Sequence, residues 1–120
     1  MHQGERRVRR TENKKLAMTW FLQSCILRLG MRALVLGCKD GLVVASAGEG
    51  VSAESAAAFA PYVFHESWEF PDDVEDAYYV DVIPLSDTAL YLFAVGPASA
   101  ASLSQGTKGG IRRILDEAVG

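Results

Sequence analysis

The sequence predicts a small α/β protein of the α+β sandwich type, with helices on both faces of an antiparallel sheet. Two short apolar runs within residues 33–46 flank the tripeptide Lys39-Asp40-Gly41, and Asp-Gly is a preferred pair for a tight hairpin turn. Neither run alternates cleanly between apolar and polar residues. Because a strand that is apolar on both sides must be covered on both faces, helices are expected above and below this hairpin.

The predicted sheet has five strands that pair antiparallel in sequence order, and the elements follow one another as α-β-β-α-β-β-β-α. The second helix covers one face, while the first and last helices share the other. Pro84 suggests that pairing stops near the end of the fourth strand or that an edge lies there. The five strands are residues 32–38, 42–46, 67–70, 77–85 and 89–95.

The first helix is predicted from about Thr11 to Leu29, with Gly30 in the position of a C-terminal glycine. The last helix is expected to begin between Ser99 and Thr107. Each shows apolar residues at steps of three and four. These stripes are Met18, Phe21, Leu22, Cys25, Ile26 and Leu29 in the first helix, and Ile111, Ile114, Leu115 and Val119 in the last.

The second helix, AESAAAFAPYVFHE, is apolar most of the way round. Ser52 is a good N-cap for it, and Pro61 should kink or shorten it because an interior proline removes a backbone donor. A helix of this kind gains from contacts on more than one side. The sheet can supply one side, and a second chain would supply the other.

Composition favours one globular domain. The 120 residues, 49% hydrophobic and 22% charged, suffice for a core of their own. No apolar run reaches the roughly 18–20 residues that cross a bilayer, and no signal-peptide core follows the basic start. We therefore expect a cytoplasmic protein, with Cys25 and Cys38 as reduced residues of the core.

The net charge of −3 conceals an asymmetry. Residues 1–15 hold six of the twelve Lys and Arg, whereas no Lys or Arg lies between Asp40 and Thr107 and eight carboxylates fall from Glu66 to Asp87. The acidic remainder of the chain, after residue 15, should repel nucleic acid. Residues 1–12 are interpreted as a flexible, solubilising basic arm and residues 13–120 as the single domain. Contact of the arm with an anionic membrane is the alternative.

With this order of elements, the chain resembles the Roadblock/LC7 family, within the wider profilin-like and longin-like group. The resemblance covers about residues 14–119. It is most specific in Ala33-Leu34-Val35-Leu36 and, after the turn, Asp40-Gly41-Leu42-Val43-Val44-Ala45-Ser46, which match the family's opening pair of strands. It implies a non-enzymatic homodimer. Bacterial and archaeal members often regulate small Ras-like GTPases, also as co-GAPs, and eukaryotic members act as scaffolds in dynein or lysosomal complexes.

The resemblance also implies where two subunits meet, namely at the second helices and third strands. The matching positions here are Phe59, Tyr62 and Val63 on the helix and Trp68 and Phe70 on the strand. An all-round apolar helix and a short edge strand both gain from a partner. The alternative is that the three helix residues fill the core of their own subunit. Trp20 and Trp68 are expected to be packing residues, with an interface anchor as the alternative for Trp68.

The sequence predicts no catalytic site, no cofactor and no metal. The acidic run at residues 72–76 matches no EF-hand loop, and both glycine-rich phosphate-binding motifs are missing. The two histidines, His2 and His65, and the two cysteines lack the spacing of a zinc site.

The function predicted from these observations is a non-catalytic homodimeric adaptor that binds and regulates a small Ras-like GTPase. The acidic body predicts a partner with a basic patch. Two alternatives stay open. One is a constitutive scaffold subunit of a larger complex, and the other is a small-ligand sensor with a PAS- or GAF-like sheet.

Overall fold

In a computed structural model of the chain, three helices surround a four-stranded antiparallel sheet. The structure describes residues 2–75, 77–96 and 104–119, without the side chains of residues 2–13, 104–105 and 116–119. The elements, in chain order, are α1 (His2–Leu29), β1 (Ala33–Cys38), β2 (Val43–Gly48), α2 (Ala53–Glu66), β3 (Tyr78–Pro84), β4 (Ala89–Val95) and α3 (Ser104–Val119).

The sheet consists of two hairpins, β1–β2 and β3–β4, joined by pairing between β1 and β4. The strand order is β2-β1-β4-β3. In register, Phe93 of β4 lies opposite Val35 of β1 on one side and Val80 of β3 on the other. Strands β2 and β3 are the edges, and Pro84 ends β3, as its position in the sequence predicts.

The predicted third strand, Ser67–Phe70, is absent from the sheet, so the predicted count of five strands is wrong. Ser67 adopts the left-handed conformation, with φ of 57°. The backbone N–H of Trp68 then donates to the carbonyl of Tyr62 at 3.3 Å. This turn folds the chain back onto α2, and Phe70 enters the core. An extended edge strand is incompatible with that path.

The helices are distributed over the two faces as predicted. Helix α2 covers one face, and α1 and α3 cover the other. Successive residues of β4 point alternately to the two faces of the sheet and pack in the two cores, as expected for a central strand. The core under α1 and α3 includes Met18, Leu22, Cys25, Leu34, Leu36, Ile83, Leu92 and Ile111, and the core under α2 includes Ala33, Val35, Ala56, Ala57, Ala60, Phe70, Tyr91 and Phe93.

The hairpin turn between β1 and β2 forms where Asp-Gly predicts it. Gly41 has φ of 82°, and its N–H donates to the carbonyl of Cys38 at 3.0 Å. Gly37, four residues earlier, lets α2 approach the sheet closely. A Cβ atom at Gly37 would lie 2.9 Å from the Cβ of Ala57 and 3.1 Å from its Cα.

Helix α2 spans the whole predicted segment, Ala53–Glu66. The Ser52 hydroxyl accepts the backbone N–H of Ser55 at 3.3 Å and so caps the N-terminus. The helix passes through Pro61 and ends at Glu66, so the expected shortening is wrong. Buried Ala56, Ala57 and Ala60 hold the turns before the proline against the sheet, and this packing offsets one lost backbone hydrogen bond.

Helix α1 ends at Leu29 as predicted but begins at His2, so the backbone of the basic residues 2–12 is helical. The division of the chain into an arm and a domain stays a prediction. Four members of the predicted stripe, Met18, Leu22, Cys25 and Ile26, are buried. Leu29 is instead exposed. Trp20, expected to be a packing residue, is 69% exposed.

An ion pair ties α3 to the edge strand β3. The Lys108 Nζ lies 2.8 Å from Asp81 Oδ2, and both side chains are about three-quarters shielded from solvent. Tyr79 lies two residues from Asp81 on the same face of β3. Burial raises the pKa of the Tyr79 phenol, and the negative charge of Asp81 raises that pKa further.

We therefore expect the free energy of unfolding to fall as the pH rises above about 10, the pKa of an unperturbed tyrosine. In that range the unfolded chain releases the Tyr79 proton while the folded chain retains it, so the free energy of unfolding decreases. Urea unfolding from about pH 8 to about pH 11 measures this slope. The Tyr79→Phe variant should show a shallower slope, and an unchanged slope would contradict the assignment to Tyr79.

Candidate protein-interaction surface

The outward side of α2 carries a stacked pair of exposed aromatic side chains, Tyr62 and Trp68. Their ring centroids are 4.7 Å apart at an interplanar angle of 18°. Tyr62 is 45% exposed and Trp68 is 48% exposed. The pair exists because the left-handed Ser67 reverses the chain at the end of the helix and brings Trp68 back over Tyr62. We call Tyr62, Trp68 and the neighbouring exposed Ala58 the α2 outer surface.

The other predicted interface residues lie deeper. Phe59 and Val63 are half-buried on the flank of α2, and Phe59 meets Phe70 edge-on with centroids 6.1 Å apart. Phe70 is only 7% exposed and packs against Phe93 at 4.8 Å. The expectation that Phe70 faces a partner is thus corrected. It belongs to the core of its own subunit because the chain turns inward after Trp68.

A hydrogen bond from Phe70 fixes this inward turn. Its backbone N–H donates to the Tyr78 hydroxyl at 2.9 Å, and the Tyr78 ring stacks on Phe93 with centroids 5.4 Å apart. The backbone and the ring of Phe70 are therefore both held by β3 and β4. For the remaining residues, Phe59, Tyr62, Val63 and Trp68, the role in an interface stays a prediction.

A surface pocket of about 300 Å³ adjoins the α2 outer surface, between α2 and the β1–β2 turn. His65, one of its lining residues, forms a hydrogen bond of 2.6 Å between Nε2 and the hydroxyl of the buried Tyr91. The charged groups around it have both signs, and its apolar wall comes from the helix. Such a mixed rim suits the side chains of a protein partner. The lining residues are Lys39, Asp40, Gly41, Ala58, Pro61, Tyr62, His65 and Glu66.

Phe64 is a further exposed aromatic residue that the sequence analysis did not single out. It lies at the end of α2, edge-on to His65 and 6.2 Å from the Tyr91 ring, and it is 38% exposed. The apolar character of the whole helix was the available signal. It could not show which apolar residues project beyond the sheet.

Within the described part of the chain, no three His, Cys, Asp or Glu side chains are grouped to hold a metal ion. Of the acidic run at residues 72–76, Asp76 lies outside the described residues. Cys25 is buried, where it accepts a weak hydrogen bond from the Thr107 hydroxyl at 3.9 Å. In the described residues, no helix combines the length and apolarity that a bilayer-crossing segment requires.

The fold is similar to that of Myxococcus xanthus MglB, with a TM-score of 0.58 over 88% of this chain and 92% of that chain. The two sequences are 10% identical. No family model matches the chain, and no curated protein matches its sequence. The likeness therefore concerns the fold alone, and at that level it confirms the resemblance to Roadblock/LC7 proteins, with four strands in place of the predicted five.

Proposed function

We propose that the protein is a non-catalytic homodimeric adaptor that binds and regulates a small Ras-like GTPase. The observation that carries the proposal is the shared fold with MglB, a Roadblock/LC7-like GTPase regulator. The stacked Tyr62–Trp68 pair supports it independently. Large aromatic side chains are enriched at the centres of protein interfaces, and exposing two of them beside one another is costly for a lone subunit.

In the proposed dimer, the α2 outer surface packs against its own copy across a two-fold axis. A two-fold interface uses the same patch on both subunits, and Ala58 permits the close approach of two helices. Because residues 67–70 form a turn, the dimer depends on α2 and Trp68 and not on sheet extension through those residues.

The proposed regulation works through the GTPase's own catalytic groups. No Lys or Arg occurs between Asp40 and Thr107, so α2, β3 and β4 offer no arginine finger to a bound nucleotide. Such an adaptor acts by binding one arrangement of the switch segments more tightly than the other, which shifts their population. The acidic residues after α2 favour a GTPase with a basic contact patch.

We expect the Tyr62→Ser/Trp68→Ser double variant to be monomeric where the wild-type protein is dimeric. The reason is that the substitutions remove the proposed interface anchors while both side chains are too exposed to support the core. Light scattering at tens of micromolar gives the mass. Leu27→Ser, which changes an exposed leucine on the opposite side of the sheet, serves as control and should leave the dimer intact. A wild-type monomer under these conditions would remove the homodimer from the proposal.

The GTPase part of the proposal is tested by capture with Ras-like GTPases loaded with GTP or GDP. Preferential binding of one nucleotide state is expected, and the double variant should bind more weakly. Equal binding of both states would favour the constitutive scaffold instead. No binding of either state would contradict the proposal.

A further inference from the structure

Helix α1 carries an apolar stripe on the side turned away from the core. Leu16, Trp20 and Leu27 are 52%, 69% and 76% exposed. At about 100° per residue, these three positions fall within a narrow sector of the helix. The buried residues Met18, Leu22 and Cys25 occupy the opposite sector. We call Leu16, Trp20 and Leu27 the outer stripe of α1. Folding of the subunit does not account for it, because the helix packs on the core through Met18, Leu22 and Cys25.

The charges of the molecule are divided between the two sides of the sheet. Among the described side chains, those of α1 and α3, which share one face, include six cations and no carboxylate. The six are Lys14, Lys15 and Arg28 on α1 and Lys108, Arg112 and Arg113 on α3. The described residues outside these two helices hold two cations, Arg32 and Lys39, and ten carboxylates.

The basic residues surround the outer stripe closely. Lys14 and Lys15 are exposed immediately before Leu16, and Arg28 is exposed directly after Leu27. No carboxylate occurs from residue 13 to residue 39. On the neighbouring α3, Arg112 and Arg113 are also exposed. The stripe is therefore an apolar strip, with a tryptophan near its middle, inside a positively charged surface.

We propose that the α1–α3 face binds the surface of an anionic phospholipid bilayer. In this arrangement α1 lies in the plane of the interface, with Trp20 at the level of the headgroups and the lysines and arginines against lipid phosphates and carboxylates. Apolar residues that include Trp on one face of a basic helix are typical of such binding. None of the described helices is apolar enough to cross the bilayer, so contact is confined to its surface.

Charge favours a membrane over a second copy of this chain. Two copies meeting through α1 would bring two basic surfaces together, which is unfavourable. A membrane supplies the opposite charge over an extended area and a place for each apolar side chain. Since α2 lies on the other face of the sheet, the inference does not depend on the proposed GTPase adaptor.

The test is flotation of the full chain with lipid vesicles. We expect binding to vesicles of phosphatidylcholine with about 30% phosphatidylserine and little binding to phosphatidylcholine alone. Binding should weaken as salt is raised from about 0.1 M to about 0.5 M, because salt screens surface charge. Trp20→Ser/Leu27→Ser should lower the affinity by about tenfold or more. Leu42→Ser, at an exposed leucine of the β1–β2 turn, is the matched control and should bind like the wild type.

A charge variant and a fluorescence measurement complete the test. Lys14→Gln/Lys15→Gln should lose about fivefold in affinity for each charge removed. In a Trp68→Phe background, Trp20 is the remaining tryptophan, and its emission should shift to shorter wavelength with phosphatidylserine vesicles.

Three results would overturn the inference. The first is no binding to the phosphatidylserine vesicles at about 0.1 M salt, where surface charge still acts over about 10 Å. The second is wild-type affinity in the Trp20→Ser/Leu27→Ser variant. The third is self-association that this variant abolishes in the absence of lipid, which would assign the stripe to a second copy of the chain.

Discussion

Replacing Phe70 by alanine is expected to lower the free energy of unfolding by about 3–5 kcal/mol, the usual cost of deleting a buried phenylalanine. The ring is 7% exposed and contacts Phe93 at 4.8 Å, Tyr78 at 5.8 Å and Phe59 at 6.1 Å. These contacts attach residues 67–75 to the sheet, so their loss should leave a cavity and loosen the turn after α2. For a domain stable by about 5–15 kcal/mol, the change is large.

Trp68→Ala is the matched control, two residues away and on the exposed side of the same turn. We expect it to cost less than about 1 kcal/mol, as surface substitutions usually do. Chemical denaturation should be recorded at several protein concentrations, because dimer formation makes stability depend on concentration. If Phe70→Ala cost no more than Trp68→Ala at the lowest concentration, Phe70 would not be a core residue.

Gly37→Ala is expected to destabilise the protein by about 1–3 kcal/mol, although alanine is the better residue in most strands. The added methyl would lie 2.9 Å from the Ala57 Cβ and 3.1 Å from the Ala57 Cα. Both atoms are fixed to the backbone of α2, so the clash can be relieved only by moving the helix. Thermal or urea unfolding measures the loss.

The double variant Gly37→Ala/Ala57→Gly separates this clash from other effects of the substitution. Ala57→Gly alone should cost about 1 kcal/mol through helix propensity and lost packing. If the helix–sheet approach is the cause, the double variant should be more stable than the sum of the two losses predicts. Strictly additive losses would contradict the proposed contact.

Elements with a strong local signal could be predicted from the sequence. Strand β4 lies at Ala89–Val95 as predicted, because an uninterrupted apolar run is typical of a buried strand. It pairs with β1 and lies in the middle of the sheet, so the predicted pairing in sequence order, which places it at an edge, is wrong. The Asp40-Gly41 turn and the Ser52 cap were predictable because each depends on the chemistry of one or two residues. The division of the helices between the two faces followed from the order of elements.

The predictions that failed concern segments whose structure depends on distant contacts. Residues 67–70 contain two aromatic side chains and are compatible with a strand, but the left-handed Ser67 directs one of them inward and leaves the other on Tyr62. In α1, Leu29 and Trp20 are as apolar as the buried residues. Their exposure depends on where the helix lies on the sheet, which periodicity alone does not reveal.

The candidate site was only partly accessible to sequence reasoning for the same reason. Tyr62 and Trp68 were identified through the family resemblance, yet their stacking results from the reversal after Glu66. The hydrogen bond between His65 and Tyr91 joins residues 26 positions apart. No local pattern encodes such a pair, since it forms only when α2 is placed over β4.

The edge strand β3 bears on how the protein avoids indiscriminate aggregation. Its sequence, YYVDVIP, has the β-branched and aromatic content that promotes fibril-like stacking of strands from different protein chains. Asp81 places a charge in the middle of that run and Pro84 ends it without a backbone donor, and both act as gatekeepers. The ion pair with Lys108 offsets the cost of partly burying the Asp81 carboxylate. Pairing between copies of the chain is thus discouraged along the β3 edge of the sheet.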